Sequence, residues 1–320
     1  MLRAWRLAFR ASIRYIPDMQ LISPICRFFG QLSAAYGKLL LLTALTMAAV
    51  PIGQVRADAV GDWPEKRFSE IRLLAARAGA ADSAQLLGGI EIATRPGWKT
   101  YWRAAGEAGL PPQFNWLSVE NAQLPEILWP VPMRFVTDGL ESYGYDDGVL
   151  LPFHIVPDDP TKPVRLHLQA RYAVCLEICV PEQAELTLTV SPQATDSGPE
   201  AAAKLNRALQ QVPRLQSGDA TTDLPMMIES VALVETASSA MLVVTARSQT
   251  GFVAPDLFVD GAGDFLFGMP EIALAADGAQ ASFTLPVSAL VSGTSLKGQA
   301  ARLTLTDQGA GIDYSTVISN

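Results

Sequence analysis

Apolar and polar residues alternate through much of the chain, a pattern typical of β-strands with one buried face. The alternation is cleanest in residues 164–172 and 186–190, where apolar side chains occupy every second position. Glycine and proline interrupt the chain between such runs. In the first half the pattern predicts strands at Glu70–Ala76, Ala84–Ala93, Lys99–Arg103, Gln113–Leu117, Val149–Val156, Val164–Tyr172 and Glu185–Val190.

The last hundred residues show the same pattern after a break in composition. Residues 191–223 are rich in Pro, Ala, Gln, Ser and Thr, and within them Pro199–Val212 has Leu205, Leu209 and Val212 at helical spacing. Proline suits the first turn of a helix. Further strands are predicted at Met227–Val234, Ala240–Ala246, Asp256–Val259, Ile272–Ala275, Ala281–Leu285, Ala301–Thr306 and Tyr314–Ile318.

These elements predict an all-β chain of two β-sandwich domains joined by a short helical linker. The expected boundaries are residues 58–192 for the first domain, 193–223 for the linker and 224–320 for the second. Trp98, Trp102, Trp116 and Trp129 give the first domain a heavy aromatic content suited to a sandwich core. The second domain has neither Cys nor His, so we expect a structural or partner-binding role for it.

The N-terminus reads as a secretory signal peptide over residues 1–57. Basic residues precede an apolar run at Leu39–Val50, and Val55-Arg56-Ala57 offers a cleavage site after Ala57. The run is shorter than the roughly 20 residues that span a bilayer as a helix, although an uncleaved membrane anchor stays an alternative. The signal predicts that the mature protein is periplasmic.

Removing residues 1–57 takes away seven basic residues and one acidic residue, so the formal net charge changes from −8 to about −14. Such a charge disfavours nucleic acid as a partner.

Two cysteines remain in the mature chain, Cys175 and Cys179, and Cys26 lies in the predicted signal. In a straight strand their Cα atoms would lie roughly 13 Å apart, whereas a disulfide needs less than about 7 Å. A bond therefore requires a turn, and Pro181 favours a hairpin or a helical turn there. Redox exchange, a structural disulfide and metal binding, including Cu(I) on a soft thiolate pair, all stay open.

The energetics of so short a loop favour exchange over a purely structural bond. A loop of about five residues recovers only about 2 kcal/mol of unfolded-state entropy. A domain of this size with four tryptophans does not need that contribution. A bond that stabilises little is a candidate for a labile disulfide.

Five stretches, in order, resemble the N-terminal periplasmic domain of DsbD-type thiol:disulfide interchange proteins, and most closely the ScsB-like branch associated with suppression of copper sensitivity. The resemblance covers residues 88–190, about a third of the chain. The stretches are Gly97-Trp-Lys-Thr-Tyr-Trp-Arg103, Gly109-Leu-Pro-Pro112, Gly139-Leu-Glu-Ser-Tyr-Gly-Tyr145, Val149-Leu-Leu-Pro-Phe153 and Tyr172-Ala-Val-Cys-Leu-Glu-Ile-Cys-Val-Pro181.

The resemblance implies an immunoglobulin-like sandwich whose cysteine pair takes electrons from a membrane-embedded relay and gives them to periplasmic thioredoxin-like partners. By position, Cys179 resembles the cysteine that forms the mixed disulfide, and Cys175 the one that resolves it. The pair here is more closely spaced than in the best-known members. The full-length relay also carries a transmembrane domain and a thioredoxin domain, and the sequence pattern predicts neither of them here. We therefore expect either a free-standing shuttle or a chain that works beside a separate membrane partner.

The resemblance also suggests an environment for the pair. Phe135–Leu140, which includes Asp138, falls where the family has a cap loop, and Phe135 could be the lid. Trp102 and Tyr145 fall near aromatic positions around the site. Glu177 between the cysteines should disfavour thiolate formation by like-charge repulsion. No cofactor is predicted, and the alternatives to redox exchange are a non-catalytic binding or scaffold protein with a structural disulfide, or a copper-binding module.

Overall fold

The computed structural model describes residues 68–78, 85–191, 199–217, 223–236 and 239–319. The predicted signal peptide, its cleavage site and Cys26 lie outside these residues. All described residues belong to one compact unit, Val55–Asn320. Within them, no helix combines the length and the hydropathy that crossing a membrane would need.

Nine strands form the first of two β-sandwiches, called here the first sandwich. One sheet has the order β1-β2-β7, and the other has the order β4-β8-β3-β6-β5 with β9 paired to β8. The strands are β1 (Ser69–Ala78), β2 (Gln85–Thr94), β3 (Lys99–Tyr101), β4 (Gln113–Glu120), β5 (Met133–Thr137), β6 (Leu140–Asp146), β7 (Gly148–His154), β8 (Val164–Cys175) and β9 (Cys179–Val190).

The core of the first sandwich lies between these two sheets and is lined by every second residue of β8. Val164, Leu166 and Leu168 of that strand are all buried there, so the alternation in the sequence marks the inner face of the sheet. Trp98 and Trp102 are buried in the same core, and the other two tryptophans pack against it. The aromatic core predicted from the sequence is therefore confirmed.

The helix α1 (Pro199–Gln210) covers the outer face of the β1-β2-β7 sheet. Leu205 is fully buried among Leu74, Ala76 and Leu87. A Cβ atom at Gly89 would lie 2.7 Å from a methyl carbon of Leu205, so this glycine allows the helix to pack closely on β2. The predicted helix is confirmed, and it packs on the sheet as a third layer as well as joining the sandwiches.

Nine further strands of the described residues form the second sandwich. One sheet has the order β10-β18-β17-β13, and the other β11-β12-β16-β14 with β15 paired to β16. The strands are β10 (Arg214–Gln216), β11 (Met226–Glu235), β12 (Ala240–Ser248), β13 (Pro255–Asp260), β14 (Phe265–Phe267), β15 (Glu271–Leu274), β16 (Gln280–Ala289), β17 (Ala300–Asp307) and β18 (Ala310–Val317).

The all-β fold of immunoglobulin-like sandwiches is confirmed, and every strand predicted in both halves is present. Four strands were not predicted: β5 and β6 in the first sandwich, and the three-residue strands β10 and β14 in the second. The predicted domain boundaries stay predictions, and β10 lies within the residues assigned to the linker.

Candidate functional site

The cysteine pair closes a tight hairpin at one end of the first sandwich. Cys175 is the last residue of β8, Cys179 is the first residue of β9, and the two are directly opposed in the antiparallel ladder. Their Cα atoms are 4.2 Å apart and their sulfurs form a disulfide. The turn that a bond requires is thus supplied by only three residues, 176–178, and of the two turns expected, a hairpin or a helical turn, the structure has the hairpin.

The two sulfurs differ sharply in their surroundings. Cys175 is 2% exposed and packs with Tyr101, Ala105 and Ala173 in a small cluster of its own. Cys179 is exposed at the mouth of the turn. Cys179 is therefore the more accessible residue of the pair.

The buried side of the disulfide is contacted by Tyr101, at the end of β3. Its hydroxyl lies 2.7 Å from Sγ of Cys175 and 3.1 Å from Sγ of Cys179. Disulfide sulfurs carry no proton, so the hydroxyl is the donor in both contacts. Tyr101 lies within a stretch that carried the family resemblance, but sequence reasoning selected its neighbour Trp102 instead.

Burial raises the pKa of the Tyr101 phenol above its usual value of 10.0. The hydroxyl therefore keeps its proton at neutral pH and stays a hydrogen-bond donor. A thiolate is a stronger acceptor than a disulfide sulfur, because hydrogen bonds to ionised groups are roughly twice as strong as neutral ones. Tyr101 is thus placed to stabilise negative charge on Cys175 when the disulfide opens.

Strand register places Lys99 and Phe135 on the same face of the sheet as the cysteines. Lys99 is directly opposed to Cys175 on one side and to Asp146 on the other, and Phe135 is opposed to Ser142. Directly opposed residues share a face, as do residues two apart along a strand. Lys99 Nζ lies 4.9 Å from the centre of the Phe135 ring.

Residues 72–191 match the family thiol:disulfide interchange protein DsbD, N-terminal. The resemblance predicted from the sequence is confirmed for this part of the chain. The DsbD match supports assigning the first sandwich as a thiol:disulfide interchange domain.

Two further matches extend beyond the first sandwich. Residues 211–320 match a domain of unknown function, DUF8393. A crystal structure of the N-terminal periplasmic domain of ScsB from Proteus mirabilis is similar over 82% of this chain and 99% of that chain. Its TM-score is 0.62 at 22% sequence identity, which shows a shared fold. Comparison with curated proteins gives no match.

The segment expected to be the DsbD cap loop is a β-hairpin. Met133–Thr137 and Leu140–Asp146 pair in continuous register, and the two residues between them, Asp138 and Gly139, have positive φ values of 52° and 81°. Two such residues make the tight turn that suits hairpin strands. Asp-Gly therefore closes a hairpin in this segment, and its expected role as a cap over the cysteine pair stays a prediction. Asp138 is exposed at its tip.

The other residues expected around the pair lie in different places. Trp102 is fully buried and packs edge-on against Phe258 of the second sandwich, at 5.8 Å between ring centres. The Tyr145 hydroxyl donates to the carbonyl of Pro130 at 2.9 Å. Glu177 is exposed at the centre of the cysteine turn. Of these three residues, only Glu177 adjoins the disulfide along the chain.

An exposed apolar side chain adjoins each cysteine in the turn. Leu176 and Ile178, on either side of Glu177 in the turn, are 52% and 67% exposed. Over the described ranges, no group of three or more His, Cys, Asp or Glu side chains is arranged to hold a metal ion.

Proposed function

We propose that this chain is a periplasmic thiol:disulfide interchange protein that passes electrons through Cys175 and Cys179 to thioredoxin-like partners. The observation that carries the proposal is the asymmetry of the pair: Cys179 is exposed, whereas Cys175 is buried 2.7 Å from the Tyr101 hydroxyl. Exchange requires one accessible sulfur and one that can leave as a stabilised thiolate.

The reductive cycle starts from the dithiol form. The Cys179 thiolate attacks a partner disulfide, forming a mixed disulfide and releasing one partner sulfur as a thiolate. Cys175 loses its proton and attacks Cys179 Sγ, which re-forms the intramolecular disulfide and expels the second partner sulfur. Two electrons pass to the partner, and the two protons given up by Cys175 and Cys179 balance those that its thiols take up.

The reverse reaction uses the same geometry. A thiolate of an electron donor attacks Cys179, and Cys175 leaves as the thiolate that accepts the Tyr101 hydrogen bond. The second thiolate of the donor then attacks the mixed disulfide, Cys179 leaves as a thiolate, and the donor's two thiols become its disulfide. These steps would let a membrane-embedded relay reduce the pair again.

The periplasmic location is part of the proposal. The predicted signal peptide supports it, and the ScsB domain of similar fold is described as periplasmic. Disulfide exchange by an exposed cysteine suits an oxidising compartment of this kind.

Trapping of the mixed disulfide tests the proposal. A Cys175→Ser variant keeps the exposed thiol and lacks the resolving one, so it should accumulate an adduct with the disulfide form of a purified thioredoxin-like protein, visible on a non-reducing gel. The matched Cys179→Ser variant keeps only the buried thiol and should form at least about tenfold less adduct, since reactivity follows exposure.

The redox equilibrium of the wild-type chain separates exchange from a structural role. Equilibration against glutathione buffers should reduce the pair within the range of exchanging disulfides, above about −300 mV. A bond that stays oxidised below that potential, together with equal trapping by the two variants, would leave a structural disulfide as the function of the pair.

A further inference from the structure

Strand β13 presents one face to its own core and the other to the first sandwich. Leu257 and Val259 lie in the core of the second sandwich, whereas Phe258 between them belongs to the core of the first. The Phe258 ring packs edge-on against Trp102 and Tyr143, at 5.8 Å and 5.0 Å between ring centres. The second sandwich therefore supplies part of the packing around β3 and β6.

Arg103 adds a polar connection at the same place. Its Nε donates to Asp260 at 2.7 Å, and one of its terminal nitrogens donates to Thr304 at 2.9 Å and approaches Asp313 at 3.3 Å. The Arg103 side chain is only 14% exposed. Three groups from three strands of the second sandwich thus hold one guanidinium, whose planar donors require a defined geometry.

The same guanidinium lies over the Trp102 ring, 4.0 Å from the ring centre. Among the described residues, Trp102 Nε1 is the buried side-chain nitrogen or oxygen without a hydrogen-bond partner. No hydrogen bond holds the Trp102 side chain, although a buried N–H without a partner is unfavourable. The ring is held instead by its packing on Phe258 and its stacking under Arg103. Both interactions depend on the second sandwich or on a residue that it holds.

These residues follow Tyr101 directly in the chain. Tyr101 donates to the two sulfurs, while Trp102 and Arg103 engage the second sandwich. The backbone between them is also held, because the Trp102 amide donates to the Tyr143 carbonyl at 3.0 Å. The second sandwich thus constrains the two residues that continue the backbone from Tyr101.

We infer that Arg103 and Trp102 are positioning residues for Tyr101, and that the second sandwich, by holding them, tunes the thiol:disulfide equilibrium of Cys175 and Cys179. This inference rests on the exchange chemistry proposed above. It gives the domain of unknown function a role: it stabilises the position of a hydrogen-bond donor whose preference for thiolate over disulfide favours the reduced pair.

The test changes residues of the second sandwich and measures chemistry at the sulfurs. In the full chain, Asp260→Asn with Asp313→Asn removes both carboxylates that hold Arg103. The equilibrium constant with reduced and oxidised glutathione should shift toward the disulfide by about three- to tenfold, the range expected of coupled neighbours. Glu229→Gln is the control, because Glu229 pairs with Arg247 at 2.8 Å inside the second sandwich. It should leave the constant within about twofold.

A double-mutant cycle separates positioning from general loosening. Tyr101→Phe should itself shift the equilibrium toward the disulfide. In that background the Asp260/Asp313 change should have little further effect, since the hydroxyl through which it acts is gone. An unchanged constant in the Asp260/Asp313 variant, or an undiminished effect of that variant in the Tyr101→Phe background, would overturn the inference.

One further variant covers the case in which the double variant does not fold. Arg103→Lys keeps the charge and loses the planar fork, so it should shift the constant in the same direction if the double variant does not fold. Glutathione reports on the sulfurs without a protein partner. Coupling seen with glutathione, together with no trapping of thioredoxin-like proteins, would therefore reject the proposed partners and keep the inference, whereas trapping without coupling would do the reverse.

Discussion

The ammonium group of Lys99 lies 4.9 Å from the centre of the Phe135 ring, and Lys99 is the direct cross-strand neighbour of Cys175. A cation over an aromatic face at a partly exposed site contributes about 0.5–1 kcal/mol. The contact therefore holds the half-buried ring above β3, on the face of the sheet that carries the cysteines.

Removal of the Phe135 ring is expected to uncover the reduced pair. Phe135→Ala should raise the rate at which iodoacetamide alkylates the dithiol form by about threefold, the effect of losing cover worth less than 1 kcal/mol. Val136→Ala is the matched control, because Val136 is 52% exposed and is the next residue, on the opposite face of β5. Equal rates for the two variants would show that Phe135 does not cover the sulfurs.

The charge of Lys99 should favour the thiolate of the neighbouring cysteine. Lys99→Met is expected to slow alkylation at pH 7 by about threefold, because a partly screened pair of charges contributes 0.2–1 kcal/mol. Glu177→Gln should act in the opposite direction, since it removes a negative charge from the cysteine turn. Lys162→Met, at a lysine 70% exposed and paired with Asp159, serves as the control. The expectation fails if Lys99→Met and Lys162→Met give the same rate.

Gly144 allows β6 to approach β3 beside Tyr101. A Cβ atom there would collide with the backbone carbonyl of Thr100, and Thr100 in turn donates to the Ala173 carbonyl on β8 at 3.0 Å. Gly144→Ala should lower the free energy of unfolding by about 1–3 kcal/mol, as overpacking does. Gly263→Ala, where no atom lies within 4 Å of a new Cβ, should change it little. Urea denaturation of the two variants checks the difference, and similar midpoints would contradict it.

Buried tyrosines should make the fold sensitive to alkaline pH. Burial raises the pKa values of Tyr143 and Tyr172 from 10.0 to about 12. The neutral phenols are thus favoured in the folded state, so their stabilising contribution is complete below pH 10 and is lost as the pH rises toward 12. Urea midpoints should fall over this window, and less steeply in Tyr172→Phe.

The same variant has a separate cost at neutral pH. Tyr172 shares a hydrogen bond of 2.9 Å with Ser69, so Tyr172→Phe should lower stability at pH 7 by about 1 kcal/mol. The test therefore compares the slope of the urea midpoint against pH in Tyr172→Phe with that in the wild type. A slope identical to that of the wild type would rule out Tyr172 as the source of the alkaline sensitivity.

The sequence predicted those parts of the fold in which one face is buried and the other is solvated. Residues 164–172 alternate cleanly because one face of β8 lines the core. The two cysteines were expected in a turn because a straight strand cannot bring them together, and the structure places them in one. Helix α1 was predicted because apolar spacing and an initial proline agreed.

The missed strands show where that reasoning stops. The Arg134 guanidinium on β5 lies 4.8 Å from the ring centre of Tyr143 on β6 and 4.9 Å from that of Phe258 in the second sandwich. The Tyr143 and Phe258 ring centres are 5.0 Å apart. Polar residues thus occupy positions that face the core, which obscures the alternation in the sequence. Tyr101 was missed because its role depends on register. Only the pairing of Lys99 with Cys175 places it beside the sulfurs, and that pairing joins residues more than seventy positions apart.

Helix α1 also determines how much of the chain the first sandwich needs in order to cover its apolar surface. The DsbD match ends at residue 191, but Leu205 of the helix closes the apolar surface formed by Leu74, Ala76 and Leu87. A gene fusion that transplanted residues 72–191 alone would leave that surface bare and prone to aggregation. The smallest fragment that keeps this surface covered therefore extends to residue 210 and includes the helix with the sheet.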